Sequence, residues 1–185
     1  MKSCKVLIIT AWAYNPVEMW GTLKPIRKNR WGFKVLSTKR IIESEIAYSQ
    51  RGVEYFTVET LTDLSLDQMR EFDGLIFVSG HRIPTKKMLY DERVFEIVKA
   101  FFDDDKPIAV PCVSVPVLRF VMKGRKVTAY PWSVVHNLLK SFGVIVLKDA
   151  VVVDGKIVTC RSMAEVDVMM EEFVKLMKKE LQSSI

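Results

Sequence analysis

One cysteine in this chain stands where a thiol could act as a nucleophile. Cys112 follows a short apolar run, Ile108-Ala109-Val110-Pro111, and precedes Val113-Ser114-Val115-Pro116. The run reads as a buried strand. Ser114 then suits a helix N-cap and Pro116 an early helical position. A side chain at such a strand-to-helix elbow is held at the carboxyl edge of a sheet, where open α/β sheets keep their ligand crevices. A helix amino terminus beneath it favours the thiolate, so Cys112 could be a low-pKa thiol. The plainer reading is a small buried hydrophobe, which is what most free cysteines are.

Two other loops carry groups that could join it. Lys5 to Ala11 is nearly continuous apolar sequence, typical of a central parallel strand buried on both faces, and Trp12 to Asn15 follows. Asn15-Pro16-Val17-Glu18 reads as a helix start, with Asn15 as N-cap and Glu18 as its partner in a capping box. Leu75 to Val78 is a further buried run, ended by Ser79-Gly80-His81-Arg82-Ile83-Pro84. If the three runs are neighbouring strands, their loops converge on one crevice with Cys112. His81 is then the candidate base, and the other histidine, His136, is expected in a helix away from the site. The backbone N–H groups of Gly80 and Val113 are candidate oxyanion donors. Asn15, Trp12, Tyr14 and Glu18 are candidates to line the crevice; an asparagine amide cannot titrate, but its N–H can hydrogen-bond a thiolate.

The elements that must position these groups can be read along the chain. Val17, Trp20, Leu23 and Ile26 supply an inward stripe for the first helix, which Pro25 should kink. Trp31 to Ser37 is the next strand. Ile41, Ile42, Ile46, Tyr48, Val53 and Tyr55 point to short extended pieces around an Arg51-Gly52 turn. Ser65 caps a short helix to Phe72, and Asp91 caps one to about Phe102. Gly124 to Tyr130 returns as a strand, and Ser133 to Phe142 is a helix ended by Gly143. Val151 to Cys160 is a hairpin with an Asp154-Gly155 turn. Ser162 and Glu165 form a capping box for a last helix whose stripe is Val166, Met169, Met170, Phe173, Val174, Met177 and Leu181. Strands alternating with helices predict one α/β domain over 1–185, a parallel sheet covered on both faces.

Composition narrows the function classes. The 185 residues are 49% apolar and 27% charged, an ordinary globular mixture. No run approaches the ~20 apolar residues of a membrane span. Three cysteines in no framework spacing point to a reducing cytoplasm. A net charge of +6 raises nucleic-acid binding, but the clusters at Lys24 to Arg30 and Lys123 to Lys126 come with no nucleic-acid motif, so that role is disfavoured. Scattered Cys and His residues offer no zinc set, and no glycine-rich phosphate loop is present; neither a metal nor a cofactor is expected.

Taken in order, Lys5 to Ala11, Val17-Glu18, Asp73-Gly74-Leu75, Gly80, Lys106 to Ala109, Cys112, Gly124 to Thr128, Tyr130-Pro131 and Val151 to Gly155 resemble the landmarks of the ThiJ/PfpI family. That family includes PfpI-type intracellular proteases and parkinsonism-associated deglycases, within the class I glutamine-amidotransferase-like superfamily. The resemblance implies a flavodoxin-like three-layer α/β/α sandwich with a mostly parallel central sheet and a strand–elbow–helix carrying Cys112. It also implies a homo-oligomer, dimer or hexamer, and a small-molecule substrate. Cys112 matches the family nucleophile, but its usual companions differ. Val113 stands where the protease branch has a histidine, Asn15 where it has an acid, and Thr85 where a glutamate would be donated across a subunit contact. The glycine pair of the oxyanion loop is reduced to Ser79-Gly80. Valine cannot accept a proton, and a general base is worth about 10²–10⁴ in rate, so the usual peptidase mechanism is not expected. Two readings follow. One is a cysteine-dependent hydrolase or glyoxalase/deglycase-like enzyme acting on a small amide or aldehyde through Cys112. The other is a non-catalytic protein in which that cysteine senses oxidation or is structural.

Overall fold

The computed structural model describes residues 4–44 and 55–183. The first half runs β1 (Lys5–Thr10), β2 (Ala13–Tyr14), α1 (Pro16–Lys28), β3 (Gly32–Ser37), β4 (Ile41–Ser44), β5 (Tyr55–Thr57) and β6 (Glu59–Thr60). Next come α2 (Leu66–Arg70), β7 (Gly74–Val78), α3 (Arg82–Leu89), α4 (Glu92–Asp103) and β8 (Ile108–Pro111). A 3-10 helix at Cys112–Leu118 follows, then β9 (Lys126–Thr128), α5 (Ser133–Ser141) and β10 (Ile145–Leu147). The chain closes with β11 (Val151–Asp154), β12 (Ile157–Cys160) and α6 (Val166–Ser183).

The central sheet has the order β11-β12-β8-β7-β1-β3-β6, and only the β11–β12 pair is antiparallel. The middle strands are apolar without interruption because both faces are covered. Leu7 and Ile9 join the layer of α4, the 3-10 helix and α5, whereas Val6 and Ile8 face α1 and α6. This is the two-residue alternation of a strand with helices on either side. The fold is thus a flavodoxin-like α/β sandwich. The adjacency of β1, β7 and β8 brings the three predicted loops to one sheet edge, the carboxyl one, where crossover topology places crevices.

Several local expectations are corrected. The stripe of α1 is rotated: Glu18, Met19, Thr22, Leu23 and Ile26 are buried, while Val17 and Trp20 are exposed. The cause is at the helix start, where the Asn15 N–H donates to Ser79 O at 2.7 Å and the Glu18 carboxyl turns inward to Ser79. Asn15 does cap the helix, accepting the Glu18 N–H at 3.0 Å, but Glu18 does not return the bond, so no capping box forms. Ser114 is not an N-cap: it lies inside the 3-10 helix, fully buried, because the turn begins at Cys112 with Pro111 as cap. The strand expected from Gly124 is only β9, and it pairs with β10 in a separate two-stranded sheet. The expectations for Ile46, Tyr48, Arg51-Gly52 and Val53 fall outside the described residues.

Two polar anchors fix the elbow's surroundings. Arg119, buried just beyond the 3-10 helix, donates to Leu89 O (3.0 Å) and Pro116 O (2.8 Å) and lies 4.1 and 4.6 Å from the Phe95 and Phe120 ring centres. The aromatic faces partly replace the hydration this cation gives up. On the hairpin side, Asp154 accepts the Lys126 N–H at 2.7 Å and pairs with Arg125 at 2.8 Å. That N–H, with Arg125, holds its carboxyl below the usual range.

Candidate active site

Cys112 has φ of +54°. The left-handed region costs a non-glycine residue about 1–3 kcal/mol, and such outliers gather at functional sites. β8 ends in Pro111, and the chain must reverse into the 3-10 helix within one residue; the left-handed cysteine makes that reversal. Its side chain is half-buried. The Cys112 carbonyl accepts the Tyr130 N–H at 3.3 Å, pinning the elbow to the loop after β9.

Beneath the elbow lies a second sulfur. β12 pairs in parallel with β8, and its last residue, Cys160, is in register with Pro111. The buried Cys160 thiol donates to Ser162 O at 3.4 Å, and the Cys112 N–H is hydrogen-bonded to its sulfur. Burial pushes the Cys160 thiol far up, and the nearby Glu18 and Cys112 groups push it further, outweighing the opposing pull of that N–H. It therefore stays a neutral thiol across the physiological range, and Cys112 is the thiol with access to solvent.

Glu18, 1% exposed, enters this cluster from α1. One carboxylate oxygen accepts both the Ser79 N–H (2.7 Å) and the Ser79 hydroxyl (2.6 Å). The two bonds hold the carboxyl against Ser79, just beyond β7, and offset part of the cost of burying it. A buried acid close enough to raise the Cys160 thiol is therefore part of this region. Asn15 is spent on the cap and on a 3.7 Å contact from its amide nitrogen to the Met163 sulfur.

The Gly80 loop is tightly closed. Tyr14 and Gly80 form an antiparallel bridge, and the His81 N–H donates to Ala13 O at 2.8 Å. A Cβ built on Gly80 would sit 1.8 Å from Ala13 O, so only glycine fits. Thr85, which is buried, receives the Gly80 N–H at 2.9 Å and returns its hydroxyl to Gly80 O at 2.9 Å. The Gly80 N–H is thus engaged within the loop. The Val113 N–H, in the first turn of the 3-10 helix, has no intrahelical acceptor.

His81 is the N-cap residue of α3, half-buried, without a side-chain cap bond. Trp12 is buried, and Lys39 and Lys87 lie 4.0 and 5.3 Å from its ring centre, so it packs under two cations rather than lining an open crevice. Tyr14 is half-buried between the same loops. His136 is nearer than its helix implied: its Nε2 lies 3.4 Å from Ala129 O, next to the Tyr130 that holds Cys112. Tyr130 and Cys160 were missed as site residues. The signal for Tyr130 was its place at the end of an expected strand with Pro131 following; Cys160 had none without the strand register. Beside the elbow, a cavity of about 340 Å³ is lined by Val113, Arg82, Lys86, Leu89, Trp132 and Val135, among others.

Similarity to known proteins agrees with this architecture. The model of the DJ-1/PfpI family matches residues 4–176. The chain is 31% identical over 178 residues to a deglycase of Pyrococcus abyssi, covering 94% of this chain and 99% of that protein. It is 32% identical over 178 residues to a deglycase of Thermococcus kodakarensis, with the same coverage. Among solved structures, a ThiJ/PfpI domain protein of Brachyspira murdochii superposes with a TM-score of 0.82 at 18% identity, covering 97% of this chain and 99% of that one. Schizosaccharomyces pombe DJ-1 superposes at 0.76 with 16% identity, covering 93% and 90%. With a match over nearly its whole length and the strand–elbow–helix in place, the chain belongs to the DJ-1/PfpI family.

Proposed function

We propose that the protein is a cysteine-dependent enzyme of the deglycase or glyoxalase type, acting on a small aldehyde or aldehyde-derived adduct through Cys112. The observation that carries this reading is the left-handed backbone of Cys112 at the end of a central strand, which holds a half-buried sulfur at the sheet's carboxyl edge. The Cys112 thiolate adds to the carbonyl carbon, the carbonyl π pair moves to oxygen, and the alkoxide takes a proton to give a hemithioacetal. The Val113 N–H is the oxyanion donor in this scheme. His81 is a secondary candidate for moving the proton, and Glu18 holds the floor of the site. Relatives named as deglycases at about 30% identity support the substrate class. Peptidase chemistry is not part of the proposal, because Val113 cannot act as a base and the Gly80 N–H is bonded to Thr85. The same closed loop favours the second reading, a sensing or binding protein, and substrate turnover decides between them.

The test is consumption of methylglyoxal, and of its adduct with a free amino acid, by the wild-type protein and by Cys112→Ala, with a denatured protein as peptidase substrate. The expected result is aldehyde turnover that falls at least about a hundredfold in the variant, and no peptide hydrolysis by either. Equal turnover by both proteins would sink the nucleophile role.

A further inference from the structure

The cavity beside the elbow has an uneven chemistry. Leu89, Trp132, Val134 and Val135 give it apolar walls, and its two charged lining residues, Arg82 and Lys86, are both cationic. Neither enters an ion pair among the described residues. Lys87, next to Lys86 on α3, is a third cationic side chain nearby, over the Trp12 ring. A second feature has the same sign. The first turn of α5, which supplies Trp132, Val134 and Val135, has no side-chain cap, so its N–H groups leave a partial positive charge at the cavity wall.

Two like charges in one lining favour an anion, and a ligand carboxylate would offset their repulsion. The walls would accept an apolar body, and the Arg82 fork suits a carboxylate in a two-bond geometry. Val113, covalently next to Cys112, is one of the lining residues. We propose that this cavity is the substrate pocket and that it selects carbonyl compounds bearing a carboxylate on a short apolar chain, Arg82 and Lys86 being the specificity-determining residues. This rests on the reading of Cys112 as a nucleophile. It predicts that charge on the reagent, not only its electrophilic strength, governs the rate at that sulfur.

The experiment compares 3-maleimidopropionate with N-ethylmaleimide as reagents for Cys112 in the full chain. Labelling is located by mass spectrometry, and each rate is divided by that of the same reagent on glutathione. The normalised rate of the anionic reagent should exceed that of the neutral one by roughly three- to tenfold at low salt, and the ratio should shrink as salt is added. Arg82→Gln with Lys86→Gln should bring the ratio to about one, any loss of thiolate slowing both reagents alike. Lys24→Gln with Lys28→Gln, which removes the same charge from the distant exposed end of α1, should leave the ratio unchanged. If both reagents label Cys112 with a ratio near one, or if the α1 pair lowers the ratio as much as the cavity pair, the pocket assignment is wrong and the nucleophile stands. If the anionic reagent alone fails to label Cys112, the pocket assignment falls; if neither reagent labels it, the nucleophile reading falls with it.

Discussion

Gly80→Ala is expected to lower unfolding stability by at least about 3 kcal/mol, among the larger effects a single methyl can have. For a chain of 185 residues this corresponds to a fall in Tm of roughly 6–12 °C. The added Cβ would lie 1.8 Å from Ala13 O, 2.7 Å from Ala13 C and 2.8 Å from Tyr14 Cα, all backbone atoms. No side-chain rotation can make room, so the two loops must part. Parting them breaks the Tyr14–Gly80 bridge, the His81 N–H bond to Ala13 and the bond from Asn15 to Ser79 O. Those contacts set the rotation of α1 and therefore the position of Glu18. A thermal melt measures the stability loss, and an alanine variant within about 0.5 kcal/mol of wild type would show that the loops are not locked together as described.

The second large effect is expected at Glu18. Glu18→Ala leaves the Ser79 N–H and hydroxyl without their acceptor in a region closed to water, and opens a cavity under the elbow. A buried donor that loses its partner costs about 1–3 kcal/mol, and two share one carboxylate oxygen here, so about 2–4 kcal/mol is expected. Glu18→Gln retains an amide oxygen that can accept both bonds and should recover more than half of that loss. Denaturant unfolding of the three proteins separates the contributions. If alanine and glutamine variants are equally stable, the Ser79 contacts are not what holds the carboxyl in place.

Much of the fold was legible because it rests on local pattern. The uninterrupted apolar runs of β1, β7 and β8 carry their own evidence of double-sided burial, and a run that stops at a cysteine ahead of Val113-Ser114 marks an elbow without reference to anything distant. Capping signals were less dependable. The spacing of Asn15 and Glu18 satisfies a capping box, yet the Asn15 N–H and the Glu18 carboxyl are both drawn to Ser79, a residue on another strand. A long-range bond outcompetes the local one, and the side chain that local reasoning assigned to the helix becomes part of the site. Trp20 and Val17 follow from the same rotation. Ser114 shows the converse: its place as a cap assumed that the helix would wait two residues, whereas the left-handed turn at Cys112 starts it at once. Cys160 could not have been found, since it depends on the register between β12 and β8; Thr85 was singled out only by resemblance, and its hydroxyl folding back to Gly80 from the first turns of α3 was not legible.

The most direct test of the account is the rate at which iodoacetamide alkylates Cys112 at neutral pH, set against a free thiol under the same conditions. Cys4 and Cys160, both buried, serve as internal controls. The elbow, the carboxyl edge and the half-open sulfur together predict modification confined to Cys112 and faster than the free thiol by about tenfold. A rate at or below that of the free thiol, or labelling spread evenly over the three cysteines, would contradict it.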